Sequence, residues 1–258
     1  VAGRQHLLKA APLALVALGL LLAWMTPFPA AARPQRVVVG SEELGFDGSV
    51  SPTSLPRQRP APIALTLSGV LPDGSASSPS LSWMVIEFDR QGLIDTEGLP
   101  ACGLKQLEGA SWEVAKRSCR KSIVGSGSAK VDAAIPGQIT ESGAPALLTI
   151  FFGGARNGVT TLYLQGALAG PIPTTVVAKE KIRPIDNGPY GYEAVTKIPP
   201  IEHESVRLLS FKLRIHRSFK LEAAKHSFVS VRCRTGTVAA NATSFLLQNG
   251  ETFSIGSR

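Results

Sequence analysis

A mainly β fold, arranged as a sandwich or as two packed antiparallel sheets, is what this sequence predicts. Three observations carry that prediction. Glycine (25) and proline (19) are frequent while only 18% of the 258 residues are charged. That balance favours short strands and turns over long surface helices. Apolar and polar residues alternate with period two in several runs, clearest in Leu209-Ser-Phe-Lys-Leu-Arg-Ile215. Helical period holds best over residues 101–119, where Leu104 and Leu107, then Trp112, Ala115 and Cys119, recur at three- and four-residue steps.

The N-terminus reads as a secretory signal peptide, residues 1–32. Arg4, His6 and Lys9 precede an apolar run from Ala10 to Trp24, and Ala30-Ala-Ala32 supplies the small residues of a cleavage site. The run is about 15 residues, short of the roughly 20 that span a bilayer. Cleavage after Ala32 is therefore expected over retention as an anchor. The mature chain is expected outside the cytoplasm, secreted or associated with the cell envelope, with no membrane span. Net charge is +8, spread along the chain without a Lys/Arg block. A solvated basic surface explains that pattern, and no nucleic-acid partner is expected.

Residues 33–60 read as an extended leader rich in Pro and Ser, because each Pro biases its predecessor away from helical space. Val37-Val38-Val39 is a candidate edge strand within it. Residues 61–183 read as a β unit with a helical insert at about 101–119. Residues 184–258 read as a second β unit packed on the first. Strands are expected at 63–68, 81–88, 123–131, 174–182, 192–198, 209–215 and 228–234. Two hairpins are expected, around Gly153–Gly158 and around Asn249-Gly250, the latter a type I′ turn signal. Gly125, Gly127 and Ala129 recur in period two, which implies close approach of another backbone. Residues 63–129 and 193–243 share an order of strands, loops and a cysteine. Duplicated β halves would give that pattern, as would any two β-meanders.

Three cysteines in an exported chain allow one internal bond. Cys102 and Cys119 bracket the helical segment and are expected to staple it, contributing about 3 kcal/mol in the loop-entropy description. Cys233 sits on an apolar face and reads as a small buried hydrophobe.

Leu55-Pro56, Ala61-Pro-Ile63, Gly98-Leu-Pro-x-Cys102, Val124-Gly125, Phe152-Gly-Gly154, Ile198-Pro199 and Cys233-x-x-Gly236 together resemble a set of exported bacterial β-rich proteins with no assigned activity. The resemblance spans most of the mature chain and brings no functional residues with it. It implies a further cysteine near the C-terminus as partner to Cys233, and no cysteine follows Cys233 in this sequence.

Candidate chemistry is sparse. Glu87, Asp89, Gln91 and Asp95 space oxygen donors somewhat like a calcium loop. Gly98 stands where that loop needs Glu, so a turn is the better reading. His203, His216 and His226 lack metal-ligand spacing. Ser126 and Ser128, set between glycines on a strand, read as packing residues, and no nucleophile elbow, zincin helix or Walker loop is present. No catalytic residue, metal or cofactor is expected. Asn241-Ala-Thr243 matches a glycan acceptor by chance composition. Lys212, Arg214, Arg217 and Lys220 form a candidate anionic-ligand face.

Three functions follow. The favoured one is a non-enzymatic exported protein, structural or binding, at the cell envelope. The second is a carbohydrate or anionic-polymer binding module, which a groove lined by Trp83, Trp112 or Tyr190/Tyr192 together with the basic strand would favour. The third is a hydrolase assembled from distant segments, which a His beside a carboxylate and a Ser or Cys would favour.

Overall fold

The structure is a computed structural model. It describes residues 35–39, 42–71, 81–134, 141–168, 174–199, 205–234, 240–247 and 252–253. The segment read as a signal peptide and the Asn249-Gly250 turn lie outside these. The strands in chain order are β1 (Gln35–Val39), β2 (Glu42–Ser51), β3 (Ala61–Pro62), β4 (Ala64–Val70), β5 (Leu81–Asp89) and β6 (Gly92–Ile94). A 3-10 turn (Leu104–Gln106), helix α1 (Trp112–Ser118) and a second 3-10 turn (Arg120–Ser122) follow. Then come β7 (Ile123–Ala134), β8 (Glu141–Arg156), β9 (Val159–Leu168), β10 (Thr174–Asn187), β11 (Tyr190–Lys197) and β12 (Ser205–Ile215). The chain closes with β13 (Ser218–Leu221), β14 (Ala224–Ser227), β15 (Val229–Val231), β16 (Ala240–Leu247) and β17 (Thr252–Phe253).

The mainly β class is borne out, and so is the stapled helical segment. The two packed layers turn out to be opposite walls of one antiparallel sheet of 12 strands, ordered β1-β2-β4-β12-β7-β8-β9-β10-β11-β5-β16-β17. A twisted sheet of that width must curl, and this one rolls until β16 comes back against β2. Phe211, Leu213 and Ile215 on β12 and Met84 and Ile86 on β5 point to the inside, where they join one apolar core. Each such side chain contributes roughly 1.5–3 kcal/mol by burial. Lys212 and Arg214 point out. That apolar-in, charged-out pattern is the reverse of a membrane-spanning barrel. Among the described residues no helix is long and apolar enough to cross a membrane.

The expected close approach at β7 is found. A Cβ on Gly127 would collide with the Lys212 carbonyl oxygen, and one on Gly125 would come within 2.6 Å of the Arg214 carbonyl oxygen. β12 therefore folds tightly over β7, a corner that only glycine admits.

The stretch read as a leader needs correction. Residues 42–51 form a full strand of the main sheet, with Leu44 and Phe46 buried at 2% exposure each. Gly48 interrupts its inward apolar places, and the prolines downstream dominate the composition. Val37–Val39 does lie on the edge strand β1. β10 runs on to Asn187, past the strand expected at 174–182.

The strand order divides into two sixes, β1-β2-β4-β12-β7-β8 and β9-β10-β11-β5-β16-β17. Each six holds five strands from one half of the chain and, in fourth place, one strand from the other half. The registers correspond too. Leu67 pairs with Leu213 and Gly69 with Phe211; the counterparts are Ala194 with Ile86 and Thr196 with Met84. The two sixes thus share one arrangement, in which β12 and β5 each stand among strands from the other half of the chain. The two sixes meet between β8 and β9, at the Asn157-Gly158 turn. A three-stranded sheet, β3-β15-β6, covers one end of the roll.

Candidate functional site

Inside the roll lies a partly open chamber of about 100 Å³. Leu67 on β4, Met84 on β5, Ile150 on β8, Leu164 on β9 and Leu213 on β12 line it from strands spread around the sheet. Ile63, Ile94, Val229 and Val231 face it from the small sheet and its flank. For scale, an apolar cavity of about 150 Å³ holds benzene.

Two acids, Glu180 and Asp89, interrupt this apolar wall. Glu180, on the inward face of β10, is only 8% exposed. Its Oε2 accepts a hydrogen bond of 2.7 Å from the Thr196 hydroxyl on β11, its one side-chain partner among the described residues. Burial pushes the carboxyl pKa above the ordinary glutamate value, and the Thr196 hydrogen bond offsets only part of that. Asp89, Tyr192 and Cys233 are the other titratable groups on the lining, and no Lys, Arg or His is among the described lining residues. Asp89 Oδ1 accepts from the Gln91 backbone N–H at 2.8 Å.

The residues of the candidate anionic face are only partly brought together. Lys212 and Arg214 share the outer face of β12. Arg217 lies beyond the strand, half-buried, with Nη2 donating to the Lys121 carbonyl at 3.4 Å. Lys220 sits on the β13–β14 hairpin, paired in register with Lys225. Thr66, Arg214, Ser126 and Thr149 line up across four strands. The Trp112 indole N–H donates to the Thr149 hydroxyl at 3.0 Å, and Lys116 lies 3.9 Å over the indole ring. Trp83 and the two tyrosines lie on the β5–β11 wall instead.

The stapled insert covers the outside of β8–β9–β10. Cys102 and Cys119 are bonded with Cα atoms 5.6 Å apart, and with Leu107 and Ala115 they bury Phe151 and Tyr163. Gln165 Nε2 donates to the Leu107 and Ala110 carbonyls. Cys233 is free and buried, as its apolar setting implied.

The calcium-like acids are engaged separately. Glu87 accepts from Asn187 at 2.8 Å, and Asp89 closes the turn that carries the chain from β5 into β6. Asp95 pairs with His226 Nδ1 at 2.6 Å. That pair, 131 residues apart in sequence, was not legible in the chain. It is half of what a hydrolase needs. The adjacent Ser227 is buried, points to the opposite side of its strand from His226, and donates its hydroxyl to the Val229 carbonyl at 2.8 Å.

No family model, curated protein or solved structure matches the chain.

Proposed function

We propose that this chain is an exported, non-enzymatic binding protein of the cell envelope whose site is the chamber inside the rolled sheet. The observation that carries this is the chamber itself. A concave apolar space with one perturbed polar group is the usual form of a small-molecule site. The bonded cysteine pair supports an oxidising compartment, in keeping with the signal-like N-terminus and the resemblance to exported β-rich proteins. The occupant is a compact, mainly apolar molecule.

Thermal unfolding of the oxidised protein with and without saturating benzene tests the reading. A rise of about 2–4 °C is expected, and Leu213→Phe, which fills the chamber, should abolish it. No rise in the wild-type protein would sink the proposal.

The row Thr66–Arg214–Ser126–Thr149, ending at Trp112, favours a second reading on the outer surface. The exposed Lys212 and Arg214 cations and the exposed Ser126 hydroxyl on one sheet face suit a glycan or other anionic envelope polymer. Arg214→Glu with Lys212→Glu should lower retention on a sulfated-glycan column by at least several-fold at low salt and leave benzene binding intact. Unchanged retention counts against this surface.

A further inference from the structure

We propose that Glu180 selects the occupant of the chamber, donating a hydrogen bond from its carboxyl group to an uncharged oxygen of a compact, otherwise apolar ligand such as a ketone, ester or alcohol. The inference rests on the chamber being a binding site and adds the chemical class it takes.

The repeated strand arrangement supplies the first argument. Glu180 pairs with Thr196 between β10 and β11. The corresponding pair between β2 and β4 is Phe46 with Gly69. Phe46 is buried at 2% and belongs to the apolar core. The fold thus accepts a hydrocarbon side chain at this position in one half and carries an acid in the other. The acid is not a requirement of the sheet. Local violations of the apolar-in rule concentrate where a protein has work to do.

The surroundings decide the class of ligand. An ionised carboxylate here would need a cation, and the described lining offers none. Thr196 already donates to Oε2. Among the described residues a neutral carboxyl group retains one O–H with no side-chain acceptor but the Thr196 oxygen, so a ligand oxygen completes it. Placing an ammonium ion there would require desolvating two charges, which costs more than a neutral hydrogen bond. A carboxylic acid kept neutral by an apolar site is an established kind of hydrogen-bond donor.

Met84 lines the chamber and gives a local reporter, one of only two methionines in the sequence. The protein is labelled with 13C at the methionine methyl groups. Cyclopentanone, its hydrocarbon counterpart methylenecyclopentane, and cyclopentylammonium are then titrated at pH 6 while the Met84 resonance is followed. Cyclopentanone should bind about fivefold more tightly than methylenecyclopentane, as one added hydrogen bond implies. Glu180→Gln, which keeps an N–H donor, should preserve most of that preference. Glu180→Leu should bring the two affinities together while still binding the hydrocarbon. Equal affinities in the wild-type protein, or a preference that survives Glu180→Leu, would overturn the role of Glu180 alone. Tighter binding of cyclopentylammonium would overturn the neutral-oxygen class. A Met84 resonance unmoved by all three probes would instead overturn the chamber as a site.

Discussion

Glu180 and Asp132 are both carboxyl groups held by strands of the same sheet, and their surroundings push them in opposite directions. Burial raises Glu180 above its ordinary value of 4.5. An acid raised on folding favours the folded state below its unfolded pKa and loses that contribution as pH rises through the folded one. Glu180→Gln should therefore be more stable than wild type at pH 8 and no more stable at about pH 3.5. Urea midpoints at the two pH values check this; an equal difference at both would contradict it. Asp89, Tyr192 and Cys233, the other titratable groups on that lining, are unchanged in this comparison and cancel from it. At Asp132 burial alone would raise the pKa. Hydrogen bonds from Arg207, Ser142 and the Gly143 N–H, with the Arg207 charge, outweigh it and hold the carboxyl below 3.8. That contribution is present above the unfolded pKa and is lost as pH falls through the folded one. Asp132 ties β7 to β8 through Gly143 at 3.1 Å and to β12 through Arg207 at 2.6 Å. Asp132→Asn should cost about 1–2 kcal/mol near neutral pH and very little at about pH 2. Gly127→Ala should cost about 1–3 kcal/mol by overpacking the corner against Lys212, read as a lowered urea midpoint with an unchanged slope.

The insert between β6 and β7 is the element most open to a separate test. Its helix is short, capped by Ser111 accepting from the Val114 N–H, and does not reach a length that holds alone in water. The disulfide and the Gln165 bonds to Leu107 and Ala110 hold it against β8 and β9. Replacing Cys102 and Cys119 by Ser should cost about 3 kcal/mol and open residues 101–122 to protease. Benzene binding should survive at temperatures where the variant is folded, because the chamber lies on the other face of the sheet. Loss of binding together with the staple would mean that the insert shapes the chamber. Elements of this kind differ in how far the sequence reveals them. β12 was legible because Leu209 to Ile215 alternates without interruption, and the staple because two cysteines flank a helical period. β2 was not, since Gly48 takes an inward place where an apolar residue would show and prolines follow. Glu180 was passed over for a related reason. It lies in Lys179-Glu-Lys181, which reads as a solvated charged run until the pairing with Thr196 shows which way it points.

At the scale of the whole molecule, the crossing of β5 and β12 makes each half dependent on the other. Neither half can complete its six strands alone. A chain cut at the exposed Asn157-Gly158 turn should yield two fragments that co-purify as one folded particle and that are each unfolded when separated. Independent folding of either fragment would contradict that dependence. The weak repeat in the sequence pointed to two similar sets of strands but not to the crossing of β5 and β12, because strand pairing between halves leaves no local mark in either. The chamber follows from the same roll, since its walls come from strands distant in the chain. Xenon tests it most directly, as an apolar probe small enough to enter without specific chemistry. The 13C shift of the Met84 methyl group should follow a saturating curve with xenon pressure in the wild-type protein and lose that curve in Leu213→Phe. A small linear drift, identical in the two proteins, would show that the rolled sheet holds no accessible chamber.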